Sequence, residues 1–114
     1  MTKRERLTLK KIYENQELIR ATLKELHITQ PEDLSSVHVM MRRGLVQTLG
    51  DIFELTNQLS DDLNSQIPWR REIIKQFRNA ASHRYGQIEN EFAFAFLMHC
   101  ADKEIMKIIR GLSG

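Results

Sequence analysis

The chain has 114 residues, 41% apolar and 28% charged, with a net charge of +2, which suits one folded soluble domain over 1–114 and excludes a disordered chain. Only 2 Pro and 5 Gly argue against a many-turned β architecture, and the single cysteine, Cys100, excludes an intrachain disulfide and a cysteine-based zinc site. No apolar run approaches the roughly 20 residues of a membrane span, and the charged opening MTKRERLTLKK lacks the apolar stretch of a signal peptide, so the cytoplasm is the default location.

Four helical segments are expected, with no strand pattern among them. The first runs from about Lys3 to Leu26, where Leu9, Ile12, Ile19, Leu23 and Leu26 mark one buried face. HITQPEDL interrupts it. Thr29 with Glu32 matches a capping box, and Pro31 suits the first turn of the next segment. The second segment, about Pro31 to Leu59, reads as one long helix. Its Leu34, Val37, Met41, Leu45, Thr48, Ile52, Leu55 and Leu59 are spaced by three or four throughout. SDDLNSQIP reads as a polar connection ending at Pro68.

The third helix starts near Trp69 and carries the apolar stripe Ile73, Ile74, Phe77 and Ala81, with Gly86 as a C-terminal stop. The fourth, about Ile88 to Ile109, is expected to bury Phe92, Ala95, Phe96, His99, Ile105, Met106 and Ile109, and GLSG to fray. Four helices with short connections predict an all-α, antiparallel up-down four-helix bundle. The second helix is longer than the third can cover, which points to a homodimer.

Charge is unevenly placed. Between Ile67 and Gly86, Arg70, Arg71, Lys75, Arg78 and Arg84 face only Glu72, a local +4 that leaves −2 for the rest of the chain. A solvated helix face explains such a cluster, and so does a surface that guides RNA by displacing its counterions.

FRNAASHRY, Phe77 to Tyr85, sits within that basic stretch. Asn79 and His83 share a helical face, whereas Arg78 and His83 diverge by about 140° on a continuous helix. One site can still use both if the helix ends near Ala81, or if two copies meet across a two-fold axis. The residue types suit metal-independent RNA cleavage by the 2′-hydroxyl. Histidine supplies a base or an acid near neutrality, and arginine a permanently charged fork for the phosphate. One histidine cannot be base and acid in one step; two copies can. Each residue alone also has an ordinary explanation: Arg78 as surface charge, His83 as a helix-end cation, Tyr85 as a core edge.

RNAASHRY resembles the RxxxxHxY signature of the HepT-like toxins, within the HEPN superfamily of small all-α proteins. KRERLTLKKIYENQELI, QTLGDIFELTNQLS with Gly50-Asp51, IPW and YGQIENE are similar to the family's surroundings of that motif. The resemblance implies a HEPN-like bundle and a homodimeric endoribonuclease toxin that needs no cofactor. Arg78 and His83 would be its catalytic pair, facing their copies, with Asn79 in support. Tyr85 would be the tyrosine that a partner nucleotidyltransferase antitoxin modifies with AMP, and the added phosphates would fill the site and repel RNA. The competing expectation is a non-catalytic helical module that docks a nucleotidyltransferase or nucleotide through the same cleft.

His27, His38 and His99 are isolated, and no HxH or HExxH spacing suggests a metal site. His99 reads as a satisfied core histidine. Arg70 and Arg71, with Arg84, are candidates for the rim of an RNA cleft. Cations at a helix start oppose the macrodipole and gain nothing locally, so exposure and an RNA rim compete as explanations for Arg70 and Arg71, as they do for Arg42 and Arg43. Trp69 reads as a core anchor, with base stacking as the other use.

Overall fold

Six α-helices and one short 3₁₀ turn account for the secondary structure in this computed structural model, which describes residues 1–81 and 88–114; none of these residues forms a strand. Helix α1 spans Lys3–Glu25. Thr2 and Glu5 start it with a reciprocal capping box: the Thr2 hydroxyl accepts the Glu5 N–H and Glu5 Oε1 accepts the Thr2 N–H, both at 3.0 Å. Leu9, Ile12 and Ile19 on its inner face are fully buried, as their spacing requires. The helix closes with the Ile28 N–H on the Leu23 carbonyl and the His27 N–H on that of Lys24, which places His27 in the left-handed region at φ 55°.

The single long helix expected over Pro31 to Leu59 is interrupted. A 3₁₀ turn covers Pro31–Ser35, and helix α2 begins at Val39 and ends at Thr56. Local polar groups cause the break, because they offer the backbone partners other than a continuous helix. The acid that organises the turn is Asp33, not Glu32. Asp33 Oδ2 accepts the N–H groups of Thr29 and Gln30 at 2.9 and 3.2 Å. These bonds, the Thr29 one foremost, hold its carboxyl below the usual range. His38 then caps α2, its Nδ1 accepting the Met40 N–H at 3.1 Å. With the helix starting at 39, Leu45, Val46, Leu49, Ile52 and Phe53 form the buried face, while Met41, expected inside, is exposed.

The polar connection holds a helix of its own, α3, Asp61–Ser65, capped by the Ser60 hydroxyl on the Leu63 N–H. Helix α4 spans Arg71–Ala81. The expected fourth helix is two, α5 (Asn90–Cys100) and α6 (Lys103–Ser113), split at Ala101–Asp102. Asp102 starts α6 by accepting the N–H groups of Glu104 and Ile105 at 2.9 and 3.2 Å. Carbonyls at the end of α5 are taken up by α1: Gln16 Nε2 donates to Cys100 O at 2.7 Å and Arg20 to Ala101 O at 3.1 Å. The split resets the buried face. Phe92 and Ala95 point outward, and Ala93, Phe96, Leu97 and Cys100 are buried instead. The C-terminal residues do not fray early: α6 reaches Ser113, which is buried.

Helix α1 packs on α2 and α6, and both α2 and α4 pack on α5, around one shared hydrophobic cluster. Phe77 links three of these helices. Its ring lies 5.0 Å from Phe53 of α2 and 5.2 Å, edge to face, from Phe96 of α5. That anchor fixes the rotation of α4, and therefore the direction of the next residue, Arg78. No helix among the described residues is long and apolar enough to cross a membrane.

Candidate functional site: a basic groove on α4

Arg71, Lys75 and Arg78 occupy positions i, i+4 and i+7 of α4 and so share a face. Ile73 and Phe77 turn the other way, against or into the core, and the partly buried Ile74 lies between the two faces, packing against the core and lining the groove. The basic face borders a groove of about 870 Å³, closed on its far side by the end of α2 and by α3. Asn57, Asp61, Asn64, Trp69 and Asn79 line it together with the three cations. Among the described residues of that lining, Asp61 is the one acid.

Arg78 is exposed, and its side chain is nonetheless positioned: Nη2 donates to Asn57 Oδ1 at 2.8 Å. Asn57 is the C-cap residue of α2, so the guanidinium is tied to the end of a neighbouring helix. The partner is a neutral amide. No carboxylate pairs with Arg78 among the described residues, where the one ion pair is Arg70–Glu72. Its charge and its remaining N–H donors are therefore available to a phosphate.

The other expected site residues divide. Asn79 and Arg71 line the groove. Arg70 does not; its Nε pairs with Glu72 at 3.2 Å and its backbone N–H donates to His99 Nε2 at 3.1 Å. His83, Arg84 and Tyr85 lie outside the described residues. Trp69 is half-buried and packs against the core while also lining the groove, so its anchoring and its access to the groove coexist. Arg42 braces the start of α5, donating to Asn90 Oδ1 at 2.9 Å and to the Ile88 carbonyl, whereas Arg43 is exposed.

His99 is satisfied, as expected, though half-buried and not enclosed. It accepts the Arg70 N–H through Nε2, which requires a neutral ring protonated on Nδ1. Burial foremost, then the Arg70 charge, pushes its pKa below the ordinary imidazole value, against opposing pulls from Asp102 and Glu72. It also meets Trp69 edge to face, with ring centroids 6.1 Å apart. The pair steadies the start of α4, about two turns before Arg78. Burial raises the Cys100 thiol, which removes it as a nucleophile. Among the described residues no three of His, Cys, Asp and Glu lie close enough to hold a metal ion.

Asn57, Asp61 and Asn64 were not candidates from sequence. They fall in TNQLSDDLNS, where only an accumulation of polar residues marked them, and that pattern belongs equally to any connection. Comparisons with protein-family models, with curated proteins and with solved structures returned no match.

Proposed function

We propose that the protein is a HepT-like, metal-independent endoribonuclease of the HEPN type. In this reading α1, α2, α4 and the α5–α6 pair are the four members of an antiparallel bundle. The observation that carries it is Arg78. The first residue of RxxxxHxY is held by a neutral amide on the wall of a basic groove, with no carboxylate against it among the described residues. A structural arginine would instead be expected to find a carboxylate or bury its stem.

The chemistry assigned to the site is transesterification. A base removes the 2′-hydroxyl proton, the 2′-oxygen bonds to the adjacent phosphorus, and the P–O5′ bond breaks. The 5′-oxygen leaves with a proton from an acid, giving a 2′,3′-cyclic phosphate and a 5′-hydroxyl. Arg78 stabilises the extra charge on the phosphoryl oxygens, and His83 from each of two copies supplies base and acid. The homodimer this needs is supported by exposed Val39, Met40 and Met41 at the start of α2 and Phe92 near the start of α5. The Arg42–Asn90 bond ties those two helix starts together. Silencing by a nucleotidyltransferase antitoxin that adds AMP to Tyr85 completes the proposal: phosphates added near Arg78 would compete with RNA for the groove.

The test is RNA cleavage in chelator by wild type, Arg78→Ala and His83→Ala. Wild type is expected to cut and each variant to lose on the order of 10²-fold or more. Equal cutting by all three, or none by wild type, overturns the reading. Co-expression with a nucleotidyltransferase encoded beside the protein is expected to raise its mass by whole AMP units, and Tyr85→Phe to abolish the gain.

A further inference from the structure

The two walls of the groove differ in chemistry. On α4 stand three cations, Arg71, Lys75 and Arg78. Opposite them, α3 contributes acceptors. Asn64 spends its Nδ2 on the carbonyls of Thr56 and Leu59, at 3.0 and 3.4 Å, which orients the amide and leaves Oδ1 free to accept. The Asp61 carboxylate lines the same groove and has neither a hydrogen bond nor an ion pair among the described residues. The three cations draw phosphate to the α4 wall, whereas Asp61 disfavours phosphate at the α3 wall and favours a hydrogen-bond donor there. The groove suits a ligand with phosphate at one end and N–H donors at the other, and its volume falls within the roughly 300–1,000 Å³ of small-molecule sites.

A nucleotide has that polarity, and the bases differ in how well they complete it. A carboxylate presents two acceptor oxygens side by side. Guanine alone sets two adjacent donor positions, N1–H and the N2 amine, on one edge. Uracil offers a single ring N–H, and adenine and cytosine a single amine. We infer that the groove is a guanine-nucleotide subsite, with the base edge on Asp61 and Asn64 and the phosphate on Arg71 and Lys75. The neighbouring phosphate of a longer strand then falls at Arg78. The inference rests on the ribonuclease reading only for the identity of the polymer; recognition of the mononucleotide stands by itself.

The experiment titrates the full-length protein with GMP, AMP, CMP and UMP in chelator, followed by calorimetry and by NMR shifts of the Asn57, Asn64 and Trp69 side-chain N–H groups. Wild type is expected to prefer GMP by on the order of tenfold or more, the scale of one bidentate base contact. Asp61→Asn is expected to erase that preference, and Lys75→Ala to weaken all four nucleotides alike; melting curves verify that both variants fold. Equal binding of the four nucleotides, no binding, or a GMP preference that survives Asp61→Asn each overturns the subsite. Mapping of RNA cut sites separates this from the parent reading. Cutting without GMP preference leaves the ribonuclease and removes the subsite, whereas Asp61-dependent GMP binding without cutting keeps the subsite and removes the ribonuclease.

Discussion

Helices α1 and α4 are both amphipathic, yet they use their polar positions in opposite ways. On α1 even the polar residues of the inner face are committed to structure. Gln16, fully buried between Ile12 and Ile19, donates to the Cys100 carbonyl, and Arg20 takes the next one. On α4 the core face is narrow. Phe77 is its one large residue fully inside, Ile73 and Ile74 are only partly covered, and the basic face beyond them borders the groove. One helix spends its polar groups on closing the fold; the other holds them out, with a single aromatic anchor to keep them in place. Residues that cost stability when removed should therefore concentrate on α1 and at Phe77, and residues that cost the proposed activity on the basic face of α4.

The sharpest test of that division lies at adjacent positions. Phe77→Ala removes the ring shared by α2, α4 and α5 and is expected to cost about 3–5 kcal/mol in urea unfolding. Arg78→Ala, next along the chain, loses an exposed side chain and one solvent-exposed hydrogen bond to a neutral amide, and should stay within about 1 kcal/mol of wild type. Comparable losses at the two positions would break the contrast. On α1, Gln16→Ala strands the Cys100 carbonyl in a buried site and is expected to cost about 1–3 kcal/mol. Its activity per folded molecule should be unchanged.

How far these roles could be read from sequence depends on the range of the interaction behind them. The face of α1 was legible because Leu9, Ile12, Ile19 and Leu23 repeat with the helical period and nothing local competes with it. Between Pro31 and Leu59 and between Ile88 and Ile109 the apolar period continues across breaks that the structure contains. An apolar period persists across a helix break whenever the next helix starts in a compatible phase. The breaks are set by short polar contacts, at Asp33, His38 and Asp102, which carry no period. Asp102 in CADKEI was a usable signal, an N-cap residue followed by an acid in the first turn. At the site, Arg78, Asn79 and Arg71 were visible through motif and charge. Asn57, Asp61 and Asn64 were not, because their meaning comes from the return of α2 and α3 against α4, and no local pattern encodes that return.

A smaller effect probes the start of α4. His99 must be neutral to accept the Arg70 N–H, and its pKa lies below the ordinary imidazole value near 6.5. The folded state thus binds this proton less readily than the unfolded chain. Its contribution is complete above pH 6.5 and is lost as pH falls from there through the lowered folded value. The melting temperature of wild type should accordingly drop between pH 7 and 5. His99→Gln keeps an acceptor but does not titrate, so its curve should fall less. Parallel curves would place the acid sensitivity elsewhere.

The smallest expected change concerns the end of α1. His27 sits at φ 55°, where an L side chain crowds the following carbonyl, a cost of about 1–2 kcal/mol that glycine escapes. Part of the gain is returned, since glycine is freer in the unfolded chain. The His27 side chain is exposed, and the local hydrogen bonds use only its backbone, so no packing opposes the change. His27→Gly should therefore stabilise the protein by about 0.5–1 kcal/mol in urea unfolding. The proposed RNA cleavage should not change, since the substitution tightens the helix already given over to structure and leaves the α4 groove untouched. A change in cleavage without a change in stability would mean that α1 and α4 do not divide the work in this way.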